Sequence, residues 1–460
     1  CLGLSAKPQH TNMPTDPLNI FKNKKNCMRA PYVVYADFET INVPVGDGTD
    51  VDLQSCGFCY IIVRSDGKSR DPVLYRGKDA ADVFINRLLG ELKWIHKSFR
   101  NKPKKIIMTP EDNIAFSSAK ECYICKKGFN RNDVKVRDHC HLTGTYRGAA
   151  HKSCNLELRI DSEYPGKNNI PVFFHNLRGF DGHLIMQALG HVKSGRLNCI
   201  PNNMEKYMAF NLGQLHFRDS FQHLNTSLGK LVEGLSKDKF IITHRHITEH
   251  ADLVARKGVY PYDYMNSFNK FDETELPSKE AFYNNLTKSG ITDAEYDHAK
   301  LVWNTFGVRN MGEYHDLYLQ SDVLLLADVF EAYRDTSMKD YGLDPANYIT
   351  FPGMAWDGVM RTTKATPERL LDIDMYHFCE QGIRGGVCTT GSKRYAKANN
   401  PLCPDYNPNN PTTWIIDLDA NNLYAQSLSQ TLPYSGFEWV LPSEISIDQI
   451  LATPDRANIG

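Results

Sequence analysis

Tyr32-Val33-Val34-Tyr35-Ala36-Asp37-Phe38-Glu39 is an apolar run, rich in β-branched and aromatic residues, that closes on two acids. Such side chains favour a pleated strand. Residues two apart on a strand point the same way, so Asp37 and Glu39 face one site. Reading outward, a Gly46-Asp47-Gly48 turn follows, and then a second strand over Gly57–Arg64. Asp82–Trp94 has the spacing of an amphipathic helix. A polar, basic stretch from Lys97 to Arg159 interrupts this α/β pattern, which resumes with a strand at Ile170–His175 and a helix near His183–Leu189. Two strand-like runs flank Met208 and Leu215, and Asp316–Arg334 reads as a long helix. Pro/Asn-rich text at Asn399–Pro411 precedes a last expected strand, Thr413–Asp419. The chain shows no internal repeat.

Composition bounds the function classes. The 460 residues are 41% hydrophobic and 23% charged, as in an ordinary globular protein, and suffice for several domains. The longest apolar run, near Val323–Ala327, is far short of the roughly 20 residues of a membrane span. Net charge is −1, but Glu91–Ile160 holds 15 Lys+Arg against 7 Asp+Glu, a local excess able to attract phosphates. A solvated basic loop would carry the same balance. The twelve Cys at irregular spacings point to a reducing compartment, with metal binding where spacing is tight. The first 30 residues read as a linker or clipped end. The start at Cys1, without Met or signal-peptide pattern, reads as a fragment of a longer protein.

Three acidic motifs occur in order. Asp37-Phe38-Glu39 ends a strand, and His175-Asn176-Leu177-Arg178-Gly179-Phe180-Asp181-Gly182 runs from a strand into a turn. Tyr318-Leu319-Gln320-Ser321-Asp322 lies on a helix, where the four-residue spacing stacks phenol and carboxylate on one face. Phosphodiester hydrolysis by two metals needs hard oxygen ligands holding two Mg²⁺ or Mn²⁺ about 3.5–4 Å apart. Asp37, Glu39, Asp181 and Asp322 supply four carboxylates, and Tyr318 would orient the attacking water. Unrelated surface acids are the competing explanation.

These motifs resemble the three exonuclease motifs of protein-primed family-B DNA polymerases of phages, linear plasmids and Maverick/Polinton mobile elements. The resemblance implies a DnaQ-type, RNase H-like 3′-5′ exonuclease. Asn176 and Phe180 would hold a frayed single-stranded 3′ end, with His175 assisting. Asp219-Ser220-Phe221 resembles a further element of that family, in which Ser220 and Phe221 contact single-stranded DNA. Aromatic stacking, about 1–3 kcal/mol per base, suits such a grip. Core packing is the alternative for both rings. The family's catalytic lysine has two candidates here, Lys257 and Lys279.

Cys122-Tyr123-Ile124-Cys125 and His151-Lys152-Ser153-Cys154 offer four ligands for a tetrahedral, structural zinc. Between and beside them stand Asp138-His139-Cys140-His141, Arg147-Gly148 and Asn155. This text resembles phage recombination endonuclease VII, a ββα-metal nuclease. By that resemblance Asp138 and Asn155 would hold a catalytic metal and His139 would be the base, with His151 where the family usually has Cys. Cleavage and simple DNA binding by this module both stay open. Cys56-Gly57-Phe58-Cys59, a second C-x2-C, lacks a matching pair and reads as buried packing.

Downstream, Arg384-Gly385-Gly386 resembles the Gly-Gly element joining exonuclease and polymerase, where the glycines would contact DNA. Asp417-Leu418-Asp419-Ala420-Asn421-Asn422-Leu423-Tyr424 resembles polymerase motif A, with Asp419 as metal ligand and Tyr424 under the incoming nucleotide. The second catalytic aspartate motif is missing, so the chain as given is not expected to polymerise. The expected architecture is α/β: 31–375 an exonuclease domain interrupted by a ββα zinc module at 105–165, then 376–460 as a linker and truncated polymerase palm. The expected function is proofreading within a DNA polymerase, and the alternative is a stand-alone nuclease from a decayed mobile element. Partners would be single-stranded 3′ ends and primer-template DNA, deoxynucleotides in the full-length protein and a terminal priming protein, without a membrane. The setting would be intracellular, and nuclear in a eukaryotic host.

Overall fold

The computed structural model describes residues 12–454 except 47–49, 159, 191–195, 204–205, 384, 387–388 and 390–394. Arg384, most of the Gly46-Asp47-Gly48 turn and the first eleven residues therefore lie outside the described residues. Phe21–Lys364 forms one compact unit, and Cys1–Ile20 with Ala365–Gly460 forms another.

The larger unit is built on a mixed, seven-stranded sheet. Its strands are β1 (Tyr32–Val45), β2 (Asp50–Arg64), β3 (Val73–Arg76), β6 (Ile170–Phe174), β7 (Leu197–Pro201), β8 (Tyr207–Leu212) and β9 (Leu215–Asp219). Two further strands, β4 (Lys135–His139) and β5 (Tyr146–His151), pair separately as a hairpin. The sheet order is β3-β2-β1-β6-β9-β8-β7, with β6 parallel to both β1 and β9 and the other pairs antiparallel.

Alternation along β1 divides the core. Tyr32, Val34, Ala36 and Phe38 enter a cluster beneath the helices Ala80–Arg100 and Asp181–Leu189. Val33 and Tyr35 face the other way, onto the 30-residue helix Met311–Asp340. Phe38 meets Phe84 edge-on at 4.9 Å and stacks on Phe174 at 6.0 Å between ring centres. Such aromatic pairs add about 0.5–1.5 kcal/mol beyond burial. With Phe38 fixed there, Asp37 and Glu39 must point towards the long helix.

Contact between that helix and the sheet needs Gly57, which stands opposite Glu39 on β2 beside a bulge. A Cβ at Gly57 would lie 2.7 Å from His315 Nε2 and 3.1 Å from the Tyr75 carbonyl oxygen. The neighbouring Cys56 and Cys59 are fully buried in the strand, and Cys56 Sγ donates to the Glu39 carbonyl at 3.3 Å, in keeping with a packing role.

Expected elements recur with longer bounds, since β1, β2 and the two long helices extend past their apolar stretches. Thr413–Asp419 departs from expectation: apart from one isolated bridge at Thr413, it pairs with no strand among the described residues, and its side chains are exposed. An apolar run becomes a strand only when a neighbouring edge takes up its backbone groups. Gly57→Ala should destabilise the larger unit by about 1–3 kcal/mol through overpacking, read as a lowered Tm with the fold retained by circular dichroism.

Candidate functional site

Asp37 and Glu39 come from β1, Asp322 from the long helix, and the carboxylate oxygens of the three all lie within 4.8 Å of one another. Asp181 opens the helix after β6, and its Oδ1 accepts a hydrogen bond from the Phe38 amide at 3.2 Å. Four carboxylates thus converge on one corner, and among the described residues the ammonium facing them is that of Lys257, which pairs with Asp322. The other lysine candidate, Lys279, pairs with exposed Asp293 instead.

Burial, followed by mutual repulsion, dominates the electrostatics. Desolvation lifts Asp37 to about 6 against the pull of Lys257, and lifts Glu39 to about 8 with the Asp37 charge adding to it. Asp181 is held well above its usual range by burial and then by Asp37. Burial lowers the Lys257 ammonium, while Asp37 and Glu39 pull it back up. One lysine cannot balance four buried carboxylates, and Asp322 Oδ1 is buried without a hydrogen-bond partner. Hard oxygen donors, excess negative charge and an orphaned acceptor fit divalent cations.

Tyr318 sits one turn before Asp322, with its phenol 2.6 Å from that of Tyr262. Its ring stacks on Tyr260 at 4.9 Å, and Tyr260 hydroxyl is fixed by His315 Nδ1 at 2.8 Å. Tyr262 escaped the reading of the sequence. Its signal was the run Lys257-Gly258-Val259-Tyr260-Pro261-Tyr262. A Cβ at Gly258 would come within 3.2 Å of the Tyr318 ring, so glycine lets this run lie against the helix.

The loop after β6 is held by the buried Asp219, the first residue of the Asp219-Ser220-Phe221 element, whose own role the sequence did not assign. Its carboxylate accepts from the amides of Asn176 at 2.8 Å, Phe221 at 3.0 Å and Arg178 at 3.3 Å. Asn176 takes φ +71°, and a Cβ at Gly179 would meet its side chain at 2.5 Å, so the Asn176 amide as oriented leaves room only for glycine there. His175 spends its ring on Ser220 Oγ (2.9 Å) and the Thr226 carbonyl (3.0 Å). Ser220 is buried and donates to the Phe174 carbonyl at 2.9 Å. Phe180 and Phe221 are half-buried, and Asn176 is exposed.

A second cluster stands in the insertion. Sγ of Cys122, Cys125 and Cys154 and a ring nitrogen of His151 lie within 4.8 Å of one another. His151 ends β5 and caps the helix Lys152–Glu157, which carries Cys154, and Lys126 at φ +59° closes the knuckle. Nδ1 of His151 faces Cys125 at 3.4 Å and Cys154 at 3.8 Å, while Nε2 lies 3.3 Å from the Asp133 carboxylate. A proton on Nε2 leaves a lone pair on Nδ1 turned towards the thiols, as in sites where a carboxylate orients a ligating histidine. Burial and then the neighbouring thiols push Cys154 up to about 12. The donor set suits a tetrahedral metal that prefers sulfur and nitrogen. Arg361 anchors this knuckle by donating to the carbonyls of Tyr123 (2.6 Å) and Ile124 (3.2 Å), and it also binds the carbonyl of Tyr341 at the end of the long helix.

Asp138, His139 and Asn155 are arranged less openly. Asp138 is buried, one oxygen accepting from Arg147 at 2.8 Å and the other from the Tyr123 hydroxyl. His139 Nε2 lies 3.1 Å from the Lys104 carbonyl. Asp138 is thus engaged by Arg147 and Tyr123, and Arg147 balances its charge.

The family model for DNA polymerase type B, organellar and viral, matches residues 165–447, well over half of the chain. This chain belongs to that family. The family model for recombination endonuclease VII matches residues 99–164, immediately upstream. No curated protein and no solved structure matches the chain. The polymerase match spans Asp181, Tyr318 and Asp322, and the endonuclease match spans the Cys/His cluster. Asp37 and Glu39 fall outside both, and geometry alone joins them to the polymerase-family residues. The expected resemblance to a family-B polymerase carrying an endonuclease VII-like insertion therefore holds. Asp419, Tyr424, Gly385 and Gly386 lie in the other unit and are exposed, and no convergent carboxylate cluster includes Asp419 among the described residues.

Cation binding must displace protons from Asp37, Glu39 and Asp181. Mn²⁺ affinity should therefore fall as pH drops from 8 through 6, the raised values of Glu39 and Asp37, with proton release in calorimetry. Glu39 and Asp37 have folded values above their unfolded ones, so their stability contribution, complete below about 4, is lost as pH rises through 6 and 8. Added Mn²⁺ should restore that loss in thermal unfolding at pH 8, and restore little at pH 5.

Proposed function

We propose that the larger unit is a metal-dependent 3′-5′ exonuclease, of the RNase H-like, DnaQ-type architecture, that trims single-stranded DNA ends for a family-B polymerase. The observation that carries this reading is the convergence of Asp37, Glu39 and Asp322, with Asp181 beside them, around a buried acceptor that lacks a partner. On this reading the exonuclease domain, expected over 31–375 and interrupted at 105–165, ends within the larger unit at Lys364, and the residues after it belong to the polymerase side.

Asp37, Glu39, Asp181 and Asp322 would hold two Mg²⁺ or Mn²⁺. When bound, these supply positive charge to the attacking and leaving oxygens of a phosphodiester. Tyr318, its phenol held by that of Tyr262, would orient the attacking water. Lys257 sets the charge on Asp322 and offers a proton donor at the rim. Asn176 and the half-buried rings of Phe180 and Phe221 flank the corner and would grip the unstacked 3′ nucleotides. His175 and Ser220 act behind them by fixing the loop. Asp419 and Tyr424 are kept as candidate polymerase residues, and Gly385 and Gly386 as DNA contacts. Deoxynucleotides and a terminal priming protein remain proposed partners, and with them a mobile-element origin and an intracellular setting, nuclear in a eukaryotic host. No helix among the described residues is long and apolar enough to cross a membrane.

For the insertion, the paired state of Asp138 favours DNA binding over cleavage, with zinc as the structural ion of the Cys/His cluster. Cys125→Ser should release that zinc, seen as one equivalent lost by metal analysis, with loss of order around the hairpin by amide exchange. Retention of the metal in this variant would refute the ligand set.

The exonuclease is tested with a 5′-labelled single-stranded oligonucleotide and Mg²⁺ or Mn²⁺. Stepwise shortening from the 3′ end is expected, abolished by Asp181→Ala or Asp322→Ala. Tyr262→Phe removes one neutral hydrogen bond, about 1 kcal/mol, and should cost roughly five-fold in single-turnover rate. Shortening that persists in Asp181→Ala would overturn the assignment.

A further inference from the structure

Three arginines are buried among the described residues, Arg218, Arg334 and Arg361. Arg334 is met by the carboxylates of Asp344 at 2.7 Å and Glu331 at 2.5 Å. Arg361 spends all three guanidinium nitrogens on carbonyls. Arg218, on β9, has neither arrangement. Its Nη1 donates to the carbonyls of Ala346 and Tyr348 at 2.7 and 2.9 Å. Its Nε and Nη2 have no hydrogen-bond partner among the described residues and keep access to solvent. The acid whose charge reaches it, Asp344, is already committed through both oxygens to Arg334. Burial accordingly pushes Arg218 down to about 10. A buried charge of this kind is costly until an opposite charge meets it. Stapling the two carbonyls needs Nη1 alone and leaves the rest of the guanidinium unexplained.

Arg218 lines an open cavity of about 80 Å³, shared by the start of β6 and the turns at Lys24–Cys27 and Pro345–Asn347. The lining holds Lys25 and four asparagines, and no carboxylate. Lys25 is exposed and forms no ion pair among the described residues. The side chain of Asn347 donates once, to the Met28 carbonyl at 2.9 Å, and so keeps a second N–H. None of these residues belongs to the carboxylate corner or to the Cys/His cluster. We propose that this cavity binds a phosphate group, with Nε and Nη2 of Arg218 as a fork and Lys25 as a second cation. The planar guanidinium matches two phosphate oxygens at once, and an ammonium adds a point charge. The cavity admits a small oxyanion and is too small for a nucleobase with its sugar. The ligand is therefore free phosphate or the 5′-phosphate of a nucleotide whose remainder stays in solvent.

The test is calorimetric titration of the full chain with inorganic phosphate, in chloride at constant ionic strength. Neither DNA nor divalent metal is added, so the outcome is independent of the exonuclease reading. Saturable binding is expected, with Tm raised by about 2–4 °C at about twenty-fold excess over the dissociation constant. Arg218→Gln removes the charged fork and should abolish both effects. The Lys25→Ala/Asn169→Ala variant changes two exposed side chains of the lining. It should bind phosphate about ten-fold more weakly, as loss of a charge-assisted contact implies, with Tm in phosphate-free buffer unaltered. A second arm titrates deoxythymidine 5′-monophosphate. Competition with phosphate assigns the site to a nucleotide's phosphate, and its exclusion assigns the site to the free ion. No saturable binding of either ligand, or unchanged affinity in a folded Arg218→Gln variant, would overturn the proposal. Should Arg218→Gln fail to fold, unchanged affinity in the Lys25→Ala/Asn169→Ala variant would overturn it as well.

Discussion

Everything at the carboxylate corner depends on the burial of one ring. Phe38 is locked between Phe84 and Phe174 on one side of the sheet, and strand geometry then leaves Asp37 and Glu39 no choice but the other side. The long helix closes that side because Gly57 lets it approach, and it delivers Tyr318 and Asp322 one turn apart. Charge that would be intolerable in a sealed core is thereby assembled by apolar packing. The free energy that holds the acids together comes from aromatic and aliphatic burial, and that same burial, more than their mutual repulsion, raises the carboxylates above their ordinary range.

Much of this was legible beforehand because the decisive signals are local. Alternation at Tyr32–Glu39, the i, i+4 pair Tyr318–Asp322 and the two ligand pairs at Cys122/Cys125 and His151/Cys154 each declare themselves within a few residues. What was not legible is long-range. Lys257 and Lys279 are equivalent as text, and only the fold puts one beside Asp322 and the other beside Asp293. Tyr262 acts through Tyr318, and Asp219 through the amides of Asn176 and Arg178, partners far away in the chain to which no spacing rule points.

Edges and lone runs were the other blind spot. β3 is four residues long and half-buried, and β7 is exposed throughout, so neither shows the apolar alternation by which strands are found. Thr413–Asp419 shows the reverse, an apolar run whose strand character depends on a pairing edge that the described residues do not supply. The bond pattern of Asp138 is a third case. Its neighbours in sequence resemble a nuclease, while its actual partners are Arg147 and Tyr123.

Arg361 gives the insertion a place in the architecture that its position in the sequence conceals. One buried guanidinium takes up two carbonyls of the metal knuckle and one from the end of the long helix. The knuckle and the helix bearing Asp322 are therefore two ends of the same lever. A change that loosened the thiols would free the Tyr123 and Ile124 carbonyls from Arg361, and with them the guanidinium that holds the Tyr341 carbonyl at the helix end. The module is thus better regarded as a buttress of the larger unit than as a detachable passenger, and a metal held by its thiols would steady both.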